Sequence, residues 1–440
     1  MAEVYPFRGI LYSPADITDM AQVVTPPYDV ITPREQEAFY QRHANNVIRL
    51  ILGKAQPGDA GPTDVHTRAA GYFQEWMETK VLVRDDIPAF YVTSVSFTMG
   101  EQRLSRYGVI GCVRLEPFEK GIVLPHERTF SKVKTERLQL MQACHTNFSP
   151  IFGLYADSNG ILKCLTEVDR SQTPDFDFMD DQGLGHKLWR ITDKKIQDHI
   201  TSALNDQCIY IADGHHRYET ALNYRNWVRD NTPGFDDNHP ANFVMMSLSS
   251  MRDPGMVILP AHRLLKDVPL EAADTLIDKA KAYFEILSFS TEAGMSQALD
   301  LFDATLAAHA DRNAIGLYIN HQSALNVLIL KNGIMKQMYT DELPEALRDL
   351  DVTVLTRLLM MELLGFDQNR LDDAAKIGYA TTTQAAVQAV QEGQAEIAFI
   401  LNPTKIEQVQ KVSRQGLIMP RKSTYFYPKV GSGLVINPLR

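Results

Sequence analysis

The segment of the chain with the clearest chemical potential is residues 209–222, IYIADGHHRYETAL. The apolar run at 208–212 predicts a buried strand, and the apolar side chains at 218, 221, 222, 224, 227 and 228 predict one face of a helix. Between strand and helix lies a polar corner, here named the DGHHR turn, which consists of Asp213, Gly214, His215, His216 and Arg217. The amides at a helix start have no partner within the helix and carry a partial positive charge, so the corner suits an anion.

The side chains of the DGHHR turn indicate phosphate chemistry. Arg217 can bind a phosphate group through two parallel hydrogen bonds, and Gly214 allows a tight turn and close approach of a ligand. Asp213 can bind a metal ion or accept a proton. The alternative is that Asp213 caps the helix and both histidines are solvated surface residues.

A second polar segment, LPHERTFSKVKTERL, spans residues 124–138 and precedes a predicted helix at about 135–143. Its charged and imidazole side chains are His126, Glu127, Arg128, Lys132, Lys134, Glu136 and Arg137. A His-Glu pair beside four cations favours a polyphosphate site with an internal base. The alternative is a solvated, charged loop.

A third segment, MPRKSTYFYPKVGSG at 419–433, surrounds an aromatic strand with Lys422, Ser423, Thr424 and Lys429. The GxxxxGK[ST] frame of a Walker-type loop is absent, so that site is rejected. The remaining interpretations are a phosphate-contacting strand or an edge strand protected by lysines.

Two weaker segments complete the set. In TPPYDVI at 25–31, the two prolines make a rigid turn that presents Tyr28 and Asp29, and Asp29 is either a functional carboxylate or the end of the turn. In LPAHRLL at 259–265, His262 follows a strand, and a satisfied histidine near the core is the simpler interpretation.

Composition narrows the class of protein. Of 440 residues, 44 are Lys or Arg and 54 are Asp or Glu, and the net charge of −10 argues against a general nucleic-acid binder. The four cysteines form no CxxC pair, which favours a reducing cytoplasm over a disulfide framework. The sequence shows neither a signal peptide nor an apolar run of membrane-spanning length, so we expect a soluble, cytoplasmic protein that binds no membrane. The sequence predicts no oligomeric state.

The periodic patterns predict a mixed α/β fold. Thr32, Pro33 and Glu35 form a capping-box pattern for a helix at 33–42. Residues 89–97 and 106–115 predict paired strands, and strand and helix patterns alternate through the last third of the chain, with a helix at 352–364 ended by Gly365. The stretches 55–64, 169–185 and 230–240 are rich in Gly, Pro and Asp and are predicted to be flexible.

In order along the chain, PPYDVI, PHERTFSKVKTERL, ADGHHRYETAL and KSTYFYPK resemble a widespread microbial family catalogued as a domain of unknown function. The ADGHHR segment also resembles the phosphate-binding box of the ParB/sulfiredoxin-like superfamily, whose free-serine kinases carry a DGHHR box. The resemblance implies a ParB/sulfiredoxin-like core with large insertions at 1–265. An additional α/β region at 266–440 would contribute KSTYFYPK to the site.

The resemblance also implies an activity, the transfer of a phosphoryl group to the hydroxyl of free L-serine. The donor would be ATP, ADP or pyrophosphate, with Mg²⁺ as cofactor and small molecules as the partners. The expected phosphate-binding residues are Gly214, His215, His216, Arg217, Lys422, Ser423, Thr424 and Lys429. Asp213 would be a catalytic or metal-binding carboxylate, and Glu127, or otherwise Asp29, would activate the serine hydroxyl. Tyr28, His126 and Arg128 are the expected substrate-binding residues.

Two other activities fit the same resemblance less well. A ParB-type nucleotide-binding regulator would use the box for switching, but the acidic charge and the missing basic helix-turn-helix argue against a DNA-loading protein. A sulfiredoxin-like repair enzyme needs a catalytic cysteine in the box, where this sequence has His215.

Overall fold

The computed structural model describes residues 1–129, 131–205, 207–373 and 375–440, and the side chains of Pro62, Ser131 and Lys132 lie outside the description. Contacts divide the chain into two compact units, one of residues 1–257 and 428–440 and one of residues 258–427. The sequence placed the boundary at 265 and assigned the whole C-terminus to the second region, whereas residues 428–440 belong to the first unit. Both units contain helices and sheets, which confirms the mixed α/β class.

The first unit is built on a nine-stranded mixed sheet. In spatial order, eight of its strands are Val123–Leu124, Ile209–Asp213, Ile151–Tyr155, Phe243–Ser250, Gln102–Arg114, Phe90–Met99, Gly185–Ile191 and Phe176–Met179, and Val4–Tyr5 pairs with Gln102–Arg114. Two pairings in this sheet are parallel, and the others are antiparallel. Two small pairs lie beside it: Ile10–Tyr12 with Leu82–Arg84, and Thr146–Asn147 with Asn437–Pro438.

Helices cover both faces of this sheet. The α-helices of the first unit are Pro33–Arg42, Ile48–Ile51, Pro62–Glu78, Ser131–Cys144, Ile161–Ser171, Lys194–Asn205 and His215–Asn231, and the 3₁₀ helices are Met20–Gln22, Tyr28–Val30, Phe118–Lys120 and Pro240–Asn242. Because successive residues of a strand point to opposite faces, Tyr91 and Ile110 enter one apolar core while Val92 and Val109 enter the other.

The second unit contains a six-stranded antiparallel sheet. Its strand order is Phe284–Ser290, Ala324–Leu330, Ala314–Ile319, Ile397–Leu401, His262–Leu265 and Ile377–Ala380, and Val257–Leu259 pairs separately with Tyr425–Tyr427. Its α-helices are Leu270–Ala280, Met295–Ala308, Ile334–Tyr339, Glu345–Arg348, Asp351–Val354, Gln368–Asp372, Thr383–Gln391 and Ile406–Arg414, and the π-helix is Leu355–Leu363.

Of the predictions of local structure, the helix start at Thr32 is confirmed and the flexible stretch at 169–185 is wrong. The helix Pro33–Arg42 begins with the predicted capping box, since the Thr32 hydroxyl accepts from the Glu35 amide and the Glu35 carboxylate accepts from the Thr32 amide. The prediction of flexibility at 169–185 is wrong, because this stretch contains the end of a helix and the strand Phe176–Met179. The alternation of Phe176 and Phe178 is a strand pattern that the Gly and Asp content concealed. Within the described residues, no helix is both long and apolar enough to cross a membrane.

Candidate functional site

The DGHHR turn has the backbone of an uncapped helix start. The strand ends at Asp213, and the helix begins at His215, with Gly214 as N-cap at φ 94° and without a side-chain cap hydrogen bond. The Tyr218 amide donates to the Gly214 carbonyl at 3.0 Å, which is the first hydrogen bond of the helix. The amides before it in the first turn have no partner within the helix and point out of its end. The alternative that Asp213 caps this helix is therefore wrong.

The Asp213 carboxylate is the centre of a largely buried ion cluster. Its Oδ2 lies 3.3 Å from Lys429 Nζ and 3.8 Å from an Arg217 guanidinium nitrogen. Burial alone would raise the pKa of Asp213, but Lys429 and Arg217 outweigh it and hold the pKa well below its usual range. Two cations face one carboxylate, so the cluster retains a positive charge beside the positive end of the helix.

Arg217 has a further fixed contact, since its guanidinium donates to the carbonyl of Pro150. Pro150 directly precedes the strand Ile151–Tyr155, the neighbour of the strand that ends at Asp213. No residue type in the sequence marks this acceptor, because any backbone carbonyl can serve. Arg217 has five N–H donors, so donors remain for an anion.

Parallel pairing brings the second motif to the turn. Val123–Leu124 lies beside Ile209–Asp213 with Leu124 opposite Tyr210, so the residues that follow both strands meet at one sheet edge. The His126 amide donates to His215 Nε2 at 3.2 Å, and the two imidazole rings lie edge to face with centroids 4.8 Å apart.

Both of these imidazoles are buried, and burial favours the neutral form of each ring. Burial lowers the pKa of His126 to about 4, and burial together with His126 lowers the pKa of His215 well below its usual value. His126 is 0% exposed and His215 is 5% exposed, which rules out the solvated surface role for His215. After His126 the chain returns to the surface, where Glu127 is half-buried and Arg128 is exposed.

The N-terminal motif contacts the same region. The Arg137 guanidinium lies 4.3 Å from the centre of the Tyr28 ring, and burial raises the pKa of the Tyr28 hydroxyl, opposed by nearby Arg217. Burial lowers the pKa of His216, and the exposed Asp29 carboxylate opposes that shift. PPYDVI therefore lies beside the DGHHR turn.

The helix after the second motif is also tied to the DGHHR helix, because Lys134 forms an ion pair with Glu219. The side chain of Lys132 lies outside the described residues. Together these contacts place residues from four sequence motifs in one region of the first unit.

The third motif is divided between the two units. Lys429 belongs to the first unit, whereas Lys422, Ser423 and Thr424 belong to the second. Lys422 is exposed, in the left-handed region at φ 53°. Ser423 and Thr424 are buried, and the Ser423 hydroxyl donates to the Pro420 carbonyl at 2.5 Å. A phosphate-binding role for these three residues stays a prediction.

The fifth motif is also in the second unit and has a structural role. His262 is 2% exposed, and its Nδ1 accepts from the Leu401 amide at 3.1 Å. It is the satisfied core histidine that the sequence indicated.

The expectation that Asp213 binds Mg²⁺ does not fit the structure. Magnesium sites use carboxylate oxygens with a free negative charge, whereas this carboxylate already pairs with Lys429 and Arg217, which would repel a divalent cation. In the described part of the chain, no group of three His, Cys, Asp or Glu side chains is arranged to hold a metal ion.

Comparison with known proteins identifies the family. Residues 4–353 match the family described as "Protein of unknown function (DUF1015)", and the chain belongs to it. Among curated proteins, none matches the sequence.

Several solved structures are distantly similar, each with a TM-score of 0.33. A free serine kinase in complex with AMP is 10% identical, over 72% of this chain and 86% of that one. A variant of a free serine kinase in complex with ADP is 10% identical, over 72% and 87%. SbnI with a C-terminal truncation, from Staphylococcus aureus, is 11% identical, over 73% and 84%.

Proposed function

We propose that this member of the DUF1015 family is a small-molecule kinase. It transfers a phosphoryl group from a nucleotide or pyrophosphate to the hydroxyl of free L-serine and produces O-phosphoserine. The observation that carries the phosphate role is the Asp213, Lys429 and Arg217 cluster at an uncapped helix start. Serine as acceptor rests on the motif resemblance described above.

The two cations would bind and neutralise the transferred phosphoryl group. Phosphoryl transfer requires mainly positioning and stabilisation of negative charge. The Asp213 carboxylate holds both cations in place, while the amides of the first helical turn donate hydrogen bonds to the phosphate oxygens. His126 is fully buried, so its proposed part is to position His215 rather than to touch the substrate.

The chemical step forms one bond and breaks one. The serine oxygen bonds to the terminal phosphorus as the bridging oxygen departs with the bonding electron pair to the donor product. The hydroxyl proton passes to a carboxylate, Glu127 or Asp29, and from there to water. Glu127 follows His126 directly, and Asp29 lies near enough to His216 to influence its pKa.

The substitutions Glu127→Gln and Asp29→Asn distinguish between the two candidate bases. The variant that lacks the base should lose about 10²- to 10⁴-fold in kcat, the usual range for a positioned base, with little change in donor affinity. The other variant should retain most of its turnover. If both retain full turnover, neither carboxylate is the base.

The activity is tested by incubating the purified chain with L-serine and each of ATP, ADP and pyrophosphate, with and without magnesium, and measuring O-phosphoserine by mass spectrometry. Arg217→Ala should lower kcat/KM by about 10- to 100-fold, as expected for lost hydrogen bonds between charged groups. Arg225→Ala is the matched control, since Arg225 lies on the same helix and donates to the Leu115 carbonyl at 2.7 Å. If no donor yields phosphoserine with the unaltered chain, the proposal is wrong.

A further inference from the structure

A cavity of about 230 Å³ in the first unit adjoins the ion cluster, because Lys429 is one of its lining residues. Its walls include the helix Pro33–Arg42 and the hairpin formed by Phe176–Met179 and Gly185–Ile191. We name it the hairpin cavity. A cavity needs only about 10–15 Å³ of space for the centre of one water molecule, so this cavity has room for a ligand of many atoms.

One side chain that lines the hairpin cavity has a buried polar atom without a partner among the described residues. His186 is 8% exposed and lines the cavity, and its Nε2 lies 2.9 Å from Asp180 Oδ2. Across the described residues, the other ring nitrogen, Nδ1, makes no hydrogen bond. A neutral imidazole that donates from Nε2 to a carboxylate presents Nδ1 as an acceptor, and a buried acceptor without a donor destabilises the fold.

Aromatic side chains line the cavity beside the pair of His186 and Asp180. The His186 ring stacks on Phe178 with centroids 5.0 Å apart and an angle of 17°, and Phe39 lines the same cavity. Flat, weakly polar heterocycles bind between such side chains, and a ring N–H or amino group would supply the donor that His186 Nδ1 lacks. Carboxylates such as Asp180 also accept hydrogen bonds from ribose hydroxyls.

These features describe two ends of one ligand. The Lys429 end borders the cluster assigned above to phosphate, and the His186 end suits an aromatic base. We propose that the hairpin cavity binds the nucleoside of the phosphoryl donor, with a base N–H donating to His186 Nδ1. The donor is then a nucleotide and not pyrophosphate. This inference rests on the proposed function for the location of the phosphate groups.

The test measures binding, so it does not depend on turnover. Isothermal titration calorimetry with AMP, GMP, CMP, UMP and pyrophosphate is performed on the unaltered chain and on His186→Phe. Phenylalanine keeps the ring and its stacking but removes the acceptor. At least one nucleoside monophosphate should bind. His186→Phe should lower the affinity for that nucleotide at least tenfold and change the affinity for pyrophosphate less than twofold.

The matched control is His321→Phe in the second unit, another histidine paired with an aspartate, at 3.1 Å from Asp274. It should leave all affinities unchanged. If circular dichroism shows that His186→Phe does not fold, the variant Phe178→Leu is used instead. It should lower the affinity for the nucleotide about fivefold. The inference is wrong if no monophosphate binds at millimolar concentration, if the variant binds it as well as the unaltered chain, or if pyrophosphate affinity falls in parallel.

The two proposals fail separately. If nucleotides bind in a way that depends on His186 but no donor yields phosphoserine, the kinase proposal is wrong and the nucleoside site stands. If pyrophosphate and nucleotides yield phosphoserine equally well and His186→Phe has no effect, the nucleoside site is wrong and the kinase proposal stands.

Discussion

The guanidinium of Arg217 occupies the space that a β-carbon on Gly214 would need. A β-carbon built at Gly214 would lie 2.8 Å from Arg217 Nε and 2.9 Å from Cζ, closer than such atoms approach in proteins. Gly214 also has φ 94°, a conformation that residues with side chains rarely adopt. The glycine thus fixes both the corner and the position of the arginine.

Gly214→Ala should therefore lower kcat/KM for phosphoryl transfer by at least tenfold, because Arg217 must move away from Asp213. Gly234→Ala is a matched control, since Gly234 has φ 79° and open space around it. Both variants should lose about 1 kcal/mol of stability from backbone strain. Equal activity in the two variants would contradict the steric argument. Steady-state kinetics and urea unfolding provide the measurements.

Lys429→Met should destabilise the first unit, because the Asp213 carboxylate would remain buried with Arg217 alone at 3.8 Å. Breaking a buried ion pair typically costs about 3 kcal/mol, so we expect a loss of that order and a higher pKa for Asp213. In the double variant Asp213→Asn, Lys429→Met, most of the stability should return while phosphate binding stays lost. Additive losses in this double-variant cycle would show that the two side chains do not interact.

The stability of the first unit should fall in mild acid through His126. Its pKa is about 4 in the fold, below the usual 6.5, so the unfolded chain binds this proton first as the pH drops. Stability present above pH 6.5 is lost towards pH 4, by up to about 3 kcal/mol. In urea unfolding across this range, the stability difference between the unaltered chain and His126→Gln should narrow as the pH falls. A constant difference would contradict the shifted pKa.

Asp351 in the second unit should show the opposite dependence. Burial raises its pKa to about 6, against 3.8 normally, so ionisation disfavours the fold as the pH rises through this interval. Asp351→Asn should stabilise the protein at pH 8 by about 1–3 kcal/mol, with no gain near pH 4. The Asn313 amide, 2.7 Å from Asp351 Oδ1, would retain an acceptor. Calorimetric unfolding is the measurement, and the exposed Asp349→Asn is the control that should not change.

Short-range patterns in the sequence predicted much of the local structure. The capping box at Thr32 and Glu35, the paired strands near 90–114 and a helix after the strand Ile209–Asp213 all depend on residues a few positions apart. That helix begins at His215, inside the segment predicted as the turn. The π-helix at Leu355–Leu363 was predicted only as an amphipathic helix, because apolar periodicity does not specify the hydrogen-bond pattern. The hairpin at 176–191 was missed, because its turn residues dominated the composition.

The sequence by itself determined the chemistry of the DGHHR turn: its glycine, its imidazoles, its cation and its position between a buried strand and a helix. Only the tertiary structure decided which distant residues complete it. Strand pairing places His126 beside His215. Residues 428–440 belong to the first unit, which places Lys429 beside Asp213. Lys422 belongs to the second unit. Local patterns act through neighbouring backbone and side chains, whereas these partnerships arise from burial and pairing across the whole chain, which no short motif encodes.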